Sequence, residues 1–211
     1  DDLLSQWHLV AYDPKTTKFI ATLNETLLGE KNLEKKIVIF SESKETVNYL
    51  AKELESVGRN DVLAISAANH KQKFNTIRKN FDANYPEKHE NDYNIIITTE
   101  VLAEGINLHR SNVILNYDIP WNATRLMQRI GRVNRIGTKA NYIYNYNFYP
   151  SEQGDKRINL RQKSLAKLQS SHSTFGEDNK IYTIEEIIEQ FKMFEEKDEE
   201  KDLRTQYLEW I

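Results

Sequence analysis

Residues Gln128 to Gly137 read Gln-Arg-Ile-Gly-Arg-Val-Asn-Arg-Ile-Gly. At about 100° per residue, Gln128, Arg132 and Arg135 share one face of a helix, and Leu126, Ile130 and Val133 share the opposite face. Such a segment buries one side and presents an amide and two guanidiniums on the other. A guanidinium stays charged at any working pH and forks onto phosphate oxygens. Held at the right place, it stabilises the charge that develops on a phosphoryl group in transfer. The plainer alternative is an amphipathic helix with a solvated basic face. The surrounding sequence sharpens the choice. The chain carries a net charge of −3, yet no acidic residue lies between Asp118 and Glu152, a window that holds Arg125, Arg129, Arg132, Arg135 and Lys139. A basic patch inside an acidic chain points to a localised phosphate contact rather than bulk attraction to nucleic acid.

The elements that must position this segment follow from hydrophobic patterning. Short apolar runs occur at 37–40, 62–65, 95–97 and 113–115, separated by helical periodicities. Near-continuous apolar strands alternating with helices predict a parallel sheet covered on both faces. Val47, Leu50, Leu54 and Val57 recur at helical spacing after the first strand, and Phe74, Ile77 and Phe81 after the second. The run from Tyr142 to Phe148 alternates aromatic or apolar residues with Asn, as a half-exposed strand does. Before these elements, Asp13 is a natural N-cap with Pro14 in the first turn, Ile20, Leu23 and Leu27 make an apolar stripe, and Gly29 can end the helix. The expected division is a lead-in helix and linker over 1–34, an α/β lobe over 35–150 and a helical extension over 151–211. Within the extension, Ile184, Ile187, Ile188, Phe191 and Phe194 form a helical stripe.

In open α/β sheets ligands collect at the carboxyl ends of the strands. Ser41 follows the first strand, Ser66 the second, and Thr98 and Thr99 the third. Each of these hydroxyls is also a helix-cap candidate.

Three segments together resemble the second RecA-like lobe of superfamily-two helicases. The 128–137 segment looks like motif VI. Thr98-Thr99-Glu100-Val101-Leu102-Ala103-Glu104-Gly105-Ile106-Asn107-Leu108 looks like motif V, and Ile37-Val38-Ile39-Phe40-Ser41 like motif IV, in the family's order and spacing. The resemblance covers roughly residues 35 to 150, and three motifs in register are far more specific than one. It implies a RecA-like fold, with helices on both faces of a parallel sheet. It implies that Arg132 and Arg135 act as arginine fingers and that Gly105, Asn107 and Gln128 face the nucleotide. It implies that Ser41, Ser66, Thr98 and Thr99 hold the phosphate backbone of one strand. Gln128 stands where many RNA helicases carry His, and Asn107 where many carry Asp. Both lean towards the Swi/Snf-like branch, with DNA as the expected partner and RNA as the lesser possibility. The segment around Phe175-Gly176-Glu177-Asp178 is similar to the region after the motor in some bacterial members of that branch.

The chain holds no GxxxxGK[ST] loop, since none of its seven glycines is followed by Lys. Asp198-Glu199-Glu200-Lys201 lies in a charged run with no apolar strand before it. ATP and Mg²⁺ are therefore expected mainly on a first RecA-like lobe, with the two arginines completing its pocket from the rim where the strands end. The chain by itself is expected to be inactive. A chain opening on Asp1-Asp2 reads as part of something longer. The alternative of a different class is a non-catalytic RecA-like binding or scaffold module. The five His residues are scattered without metal-ligand spacing, and there is no cysteine, so no thiolate metal site and no disulfide. No apolar stretch approaches membrane-spanning length. The expectation is a cytoplasmic protein with no membrane partner.

Overall fold

The computed structural model describes residues 13–102, 106–120 and 123–149. Five strands, β1 (Ile37–Phe40), β2 (Val62–Ile65), β3 (Ile95–Thr98), β4 (Val113–Asn116) and β5 (Tyr144–Asn147), form one parallel sheet in the order β2-β3-β1-β4-β5. The helices are α1 (Pro14–Thr22), α2 (Lys44–Ser56), α3 (Phe74–Phe81) and α4 (Ala123–Val133). A π-helical turn, Leu23–Leu27, extends α1.

The strands at the centre of the sheet are apolar at nearly every position because both faces are covered. Val38, Phe40, Ile96 and Ile114 turn towards α3 and α4, meeting Ile77, Phe81, Leu126, Ile130 and Val133. Ile37, Ile39, Ile95, Ile97, Val113 and Leu115 turn the other way, towards α1 and α2. This is the period-two alternation of a pleated strand. Each fully buried Ile or Leu contributes on the order of 1.5–3 kcal/mol. The expected strands appear at their places, and β5 is half-buried along its length, as its alternation predicts. At the ends of the helical stripes the structure differs from the pattern: Val57 and Phe74 are exposed, because each lies at a helix terminus beyond the packed turns.

Helix α1 opens on Asp13, whose carboxylate accepts from the Lys15 N–H at 2.9 Å and from the Thr16 hydroxyl at 2.7 Å. Its Phe19, with Leu23 and Leu27 of the following turn, is fully buried in the same core as α2 and the sheet. The lead-in is thus part of the lobe's packing. The expected helical extension lies outside the described residues.

The strands pair in flush register. Phe40 is level with Thr98 and Asn116, Thr98 with Ile65, and Asn116 with Asn147. The residues that follow them, Ser41, Ser66, Thr99 and Tyr117, therefore share one rim. β1 leads by way of α2 to β2 on one side, and β4 by way of α4 to β5 on the other. The crevice between β1 and β4 is a topological switch point, where such sheets leave room for ligands.

Candidate functional site

At that switch point the structure builds a polar cluster around Arg129. Its side chain is fully buried. Helical side chains lean towards the helix N-terminus, so Arg129 reaches back from mid-helix to the strand ends. Nη1 donates to Asn116 Oδ1 (2.8 Å) and to the Asp118 carbonyl (3.1 Å). Nη2 donates to Glu42 Oε1 (2.9 Å), and both Nε (2.8 Å) and Nη2 meet Glu100 Oε1. The guanidinium carbon lies 5.0 Å from the centre of the Phe40 ring, in cation–π range. One buried cation thus ties together the loops after β1, β3 and β4. Beside it, Asp118 accepts from Ser41 Oγ at 2.6 Å and pairs with Lys15 Nζ at 2.8 Å. Burial works to raise the Asp118 pKa. The hydrogen bonds from Lys15 and Ser41 outweigh it, and the carboxyl is held below its usual range.

The residues expected to hold phosphate do lie on this rim, but most of their side chains are turned inward. Ser41 is fully buried, with its hydroxyl committed to Asp118 and its N–H to the Thr98 carbonyl at 2.9 Å. Thr98 is fully buried, and its hydroxyl donates to the Thr99 carbonyl at 3.0 Å. Ser66 is nearly buried; its N–H donates to Asn69 Oδ1 and its carbonyl accepts from the N–H groups of Asn69 and His70. Thr99 is half-exposed. Capping explains neither Ser41 nor Thr98: the cap of α2 is Ser43, which accepts from the Thr46 N–H.

The expected arginine pair lies elsewhere. β4 and β5 are parallel neighbours, so α4 between them must run back, antiparallel to the strands. Its carboxyl end therefore reaches the opposite edge of the sheet. The link is visible where the Leu108 N–H donates to the Arg132 carbonyl at 2.9 Å. This corrects the expectation that Arg132 and Arg135 stand at the rim where the strands end. A second correction concerns the shared helical face. α4 ends at Val133, so Arg135 lies beyond it, in a turn closed by Thr138. Gln128 and Arg135 are exposed, and Arg132 is half-buried. Arg135 makes no ion pair among the described residues; its Nε donates to the Gly131 carbonyl at 3.3 Å. The apolar face behaves as its spacing predicts, with Leu126, Ile130 and Val133 buried.

An open pocket of about 480 Å³ lies beside Arg135, lined by Asn84, Asn107, Asn134, Arg135 and Ile136. Asn107 and Arg135, far apart in sequence, are thus brought to one site, and the four rim residues to another. Gly105 lies outside the described residues. Sequence reasoning passed over Glu42, Glu100 and Asn84, and it counted Arg129 only among the basic residues read as a phosphate contact, whereas the structure turns it inward. For Arg129 a signal exists: it borders the apolar stripe of Leu126, Ile130 and Val133, where a charge drawn inward requires partners, and acidic residues follow three of the strands. Asn84 carries no such signal. Among the described residues no group of carboxylates and histidines has the arrangement of a metal site.

Residues 18–137 match the profile of the helicase conserved C-terminal domain. Over 116 residues the chain is 35% identical to the uncharacterized ATP-dependent helicase YqhH of Bacillus subtilis, covering 54% of this chain and 19% of that protein. Over 152 residues it is 28% identical to the ATP-dependent RNA helicase sub2 of Aspergillus terreus, covering 72% of this chain and 32% of the relative. The chain thus spans about a fifth to a third of these curated relatives. The fold is similar to that of the E. coli DEAD-box protein SrmB, in its crystal structure with regulator of ribonuclease activity A. That likeness has a TM-score of 0.51 at 22% identity, over 71% of this chain and 76% of SrmB's. Relatives named as RNA helicases do not support the Swi/Snf-like, DNA-directed branch read from Gln128 and Asn107. Two side chains that differ from a common pattern carry too little weight against similarity spread over the lobe.

Proposed function

The chain belongs to the family of helicase conserved C-terminal domains, and on that premise we propose that it is the second motor lobe of an ATP-dependent helicase or translocase. The observation that carries this reading is Arg135, an exposed guanidinium with no carboxylate partner among the described residues, set on a pocket rim with Asn107. A cation kept free of internal ion pairs is available to an incoming phosphate. ATP with Mg²⁺ sits mainly on a first RecA-like lobe. On closure of the two lobes Arg132 and Arg135 reach the terminal phosphoryl group, with Gln128 and Asn107 orienting the groups around it; the motif likeness gives Gly105 the same nucleotide-binding role.

The strand lies across the other rim. Ser41 and Thr98 are buried there, so the hold on the phosphate backbone falls to exposed atoms of the loops around Ser66 and Thr99. The names of the relatives favour RNA as that strand. Because Arg129 joins the loops after β1, β3 and β4 to α4, and α4 leads into the arginine turn, one rigid element connects the two sites.

The test is nucleic-acid-stimulated ATPase activity of the full-length protein, with Arg132→Ala and Arg135→Ala. Loss of an arginine finger is expected to lower turnover about 10³-fold or more. Near-normal turnover in both variants refutes the motor reading and leaves the scaffold module. Stimulation by single-stranded RNA but not by duplex DNA supports the assigned strand, and the reverse overturns it.

A further inference from the structure

Arg135 lies two residues past the end of α4, so helical hydrogen bonds do not place it. Within its turn, the Thr138 hydroxyl accepts from the Arg135 N–H (3.1 Å) and lies 2.9 Å and 2.7 Å from the carbonyls of Val133 and Arg135. The outside of the turn is held from another part of the chain. Asn84 Nδ2 donates to the Ile136 carbonyl at 3.3 Å. Asn84 is itself anchored: its N–H donates to Asp82 Oδ1 (3.0 Å), and Asp82 pairs with Arg78 at 3.4 Å. The fit is close. Gly137 has φ +103°, and a Cβ there would lie 2.7 Å from Asn84 Oδ1 and 3.2 Å from His109 Nε2. Only glycine lets the turn settle onto these two side chains. Asn84 also lines the pocket that Arg135 and Asn107 share.

We propose that Asn84 is a positioning residue for Arg135, fixing the arginine turn through the Ile136 carbonyl. It follows α3 in a segment that belongs to none of the three motifs. The inference rests on the reading of Arg135 as a group that meets the transferring phosphoryl. A long side chain on a loose turn meets its target in few of its conformations, and misplacement by about 1 Å can cost about 10²-fold in rate.

Asn84 is exposed, so its truncation does not threaten folding. In the full-length protein, Asn84→Ala is expected to lower kcat for nucleic-acid-stimulated ATP hydrolysis about tenfold, with KM for ATP within about twofold, because the lost interaction acts in the transition state. The double variant with Arg135→Ala is expected to turn over no more slowly than Arg135→Ala alone. Full turnover by Asn84→Ala while Arg135→Ala is inactive overturns the role of Asn84 and leaves the motor reading intact. So does a multiplicative loss in the double variant. Normal turnover by Arg135→Ala overturns the premise and the proposal together.

Discussion

A buried guanidinium and an exposed one sit six residues apart in this chain and do opposite work. Arg129 gives up water entirely and receives three side-chain partners and a backbone carbonyl in exchange. Removing it leaves Asn116 Oδ1 and the partly buried Glu100 carboxylate without their donor, and Glu42 with only its surface contact to Arg125. Breaking such a buried pair typically costs about 3–5 kcal/mol. Arg129→Ala is therefore expected to lower the urea midpoint of the 211-residue chain severely. Arg125 offers a control: it meets the same Glu42 at 3.2 Å, but with its side chain 51% exposed. Solvent and entropy leave such a surface pair about 0–1 kcal/mol, so Arg125→Ala should hardly move the midpoint. Equal losses in the two variants would contradict the assignment of Arg129 as the tie between the loops.

Between these two arginines, α4 converts sequence spacing into direction. Its apolar stripe fixes which side it buries, but its antiparallel return fixes which edge of the sheet each end reaches. The turn beyond it rests on His109, which is buried and has no hydrogen-bond partner for either ring nitrogen among the described residues. Burial lowers the His109 pKa; the Asp82 carboxylate, 3.7 Å away, works to raise it, and the Arg135 charge lowers it further. The net is a base that binds its proton less tightly in the folded chain than in the unfolded one. Its contribution to stability is complete above the unfolded value of 6.5 and declines as the pH falls through and below it. Thermal melts should show Tm lower at about pH 5.5 than at about pH 7.5, with a smaller difference in His109→Gln. An undiminished difference in that variant would place the titration on another group.

Across the whole lobe, two edges of one sheet carry two sets of residues. The switch-point rim gathers Ser41, Thr98, Asn116 and the Arg129 cluster, and the opposite edge gathers Asn107, Arg135 and Asn84. On the proposed reading the lobe completes a nucleotide site held mainly by another lobe, and the purified 211-residue chain is expected to show no Mg²⁺-dependent phosphate release. Turnover by that chain alone would show that it binds the phosphates itself. The strands, the helices and the buried face of α4 were legible beforehand, because hydrophobic periodicity is local and burial enforces it residue by residue. The family was legible because the three motifs have specific residue types and spacing. The sequence by itself determined the parallel sheet, the apolar stripe of α4 and the guanidiniums beside it. Only the tertiary structure decided that Arg129 turns inward to three loops, that Arg135 stands past the helix end on the far edge, and that Asn84 meets the Ile136 carbonyl of the same turn. Those outcomes depend on strand order and chain direction, through contacts between residues 29 to 87 positions apart. No window of local sequence contains both members of such a pair.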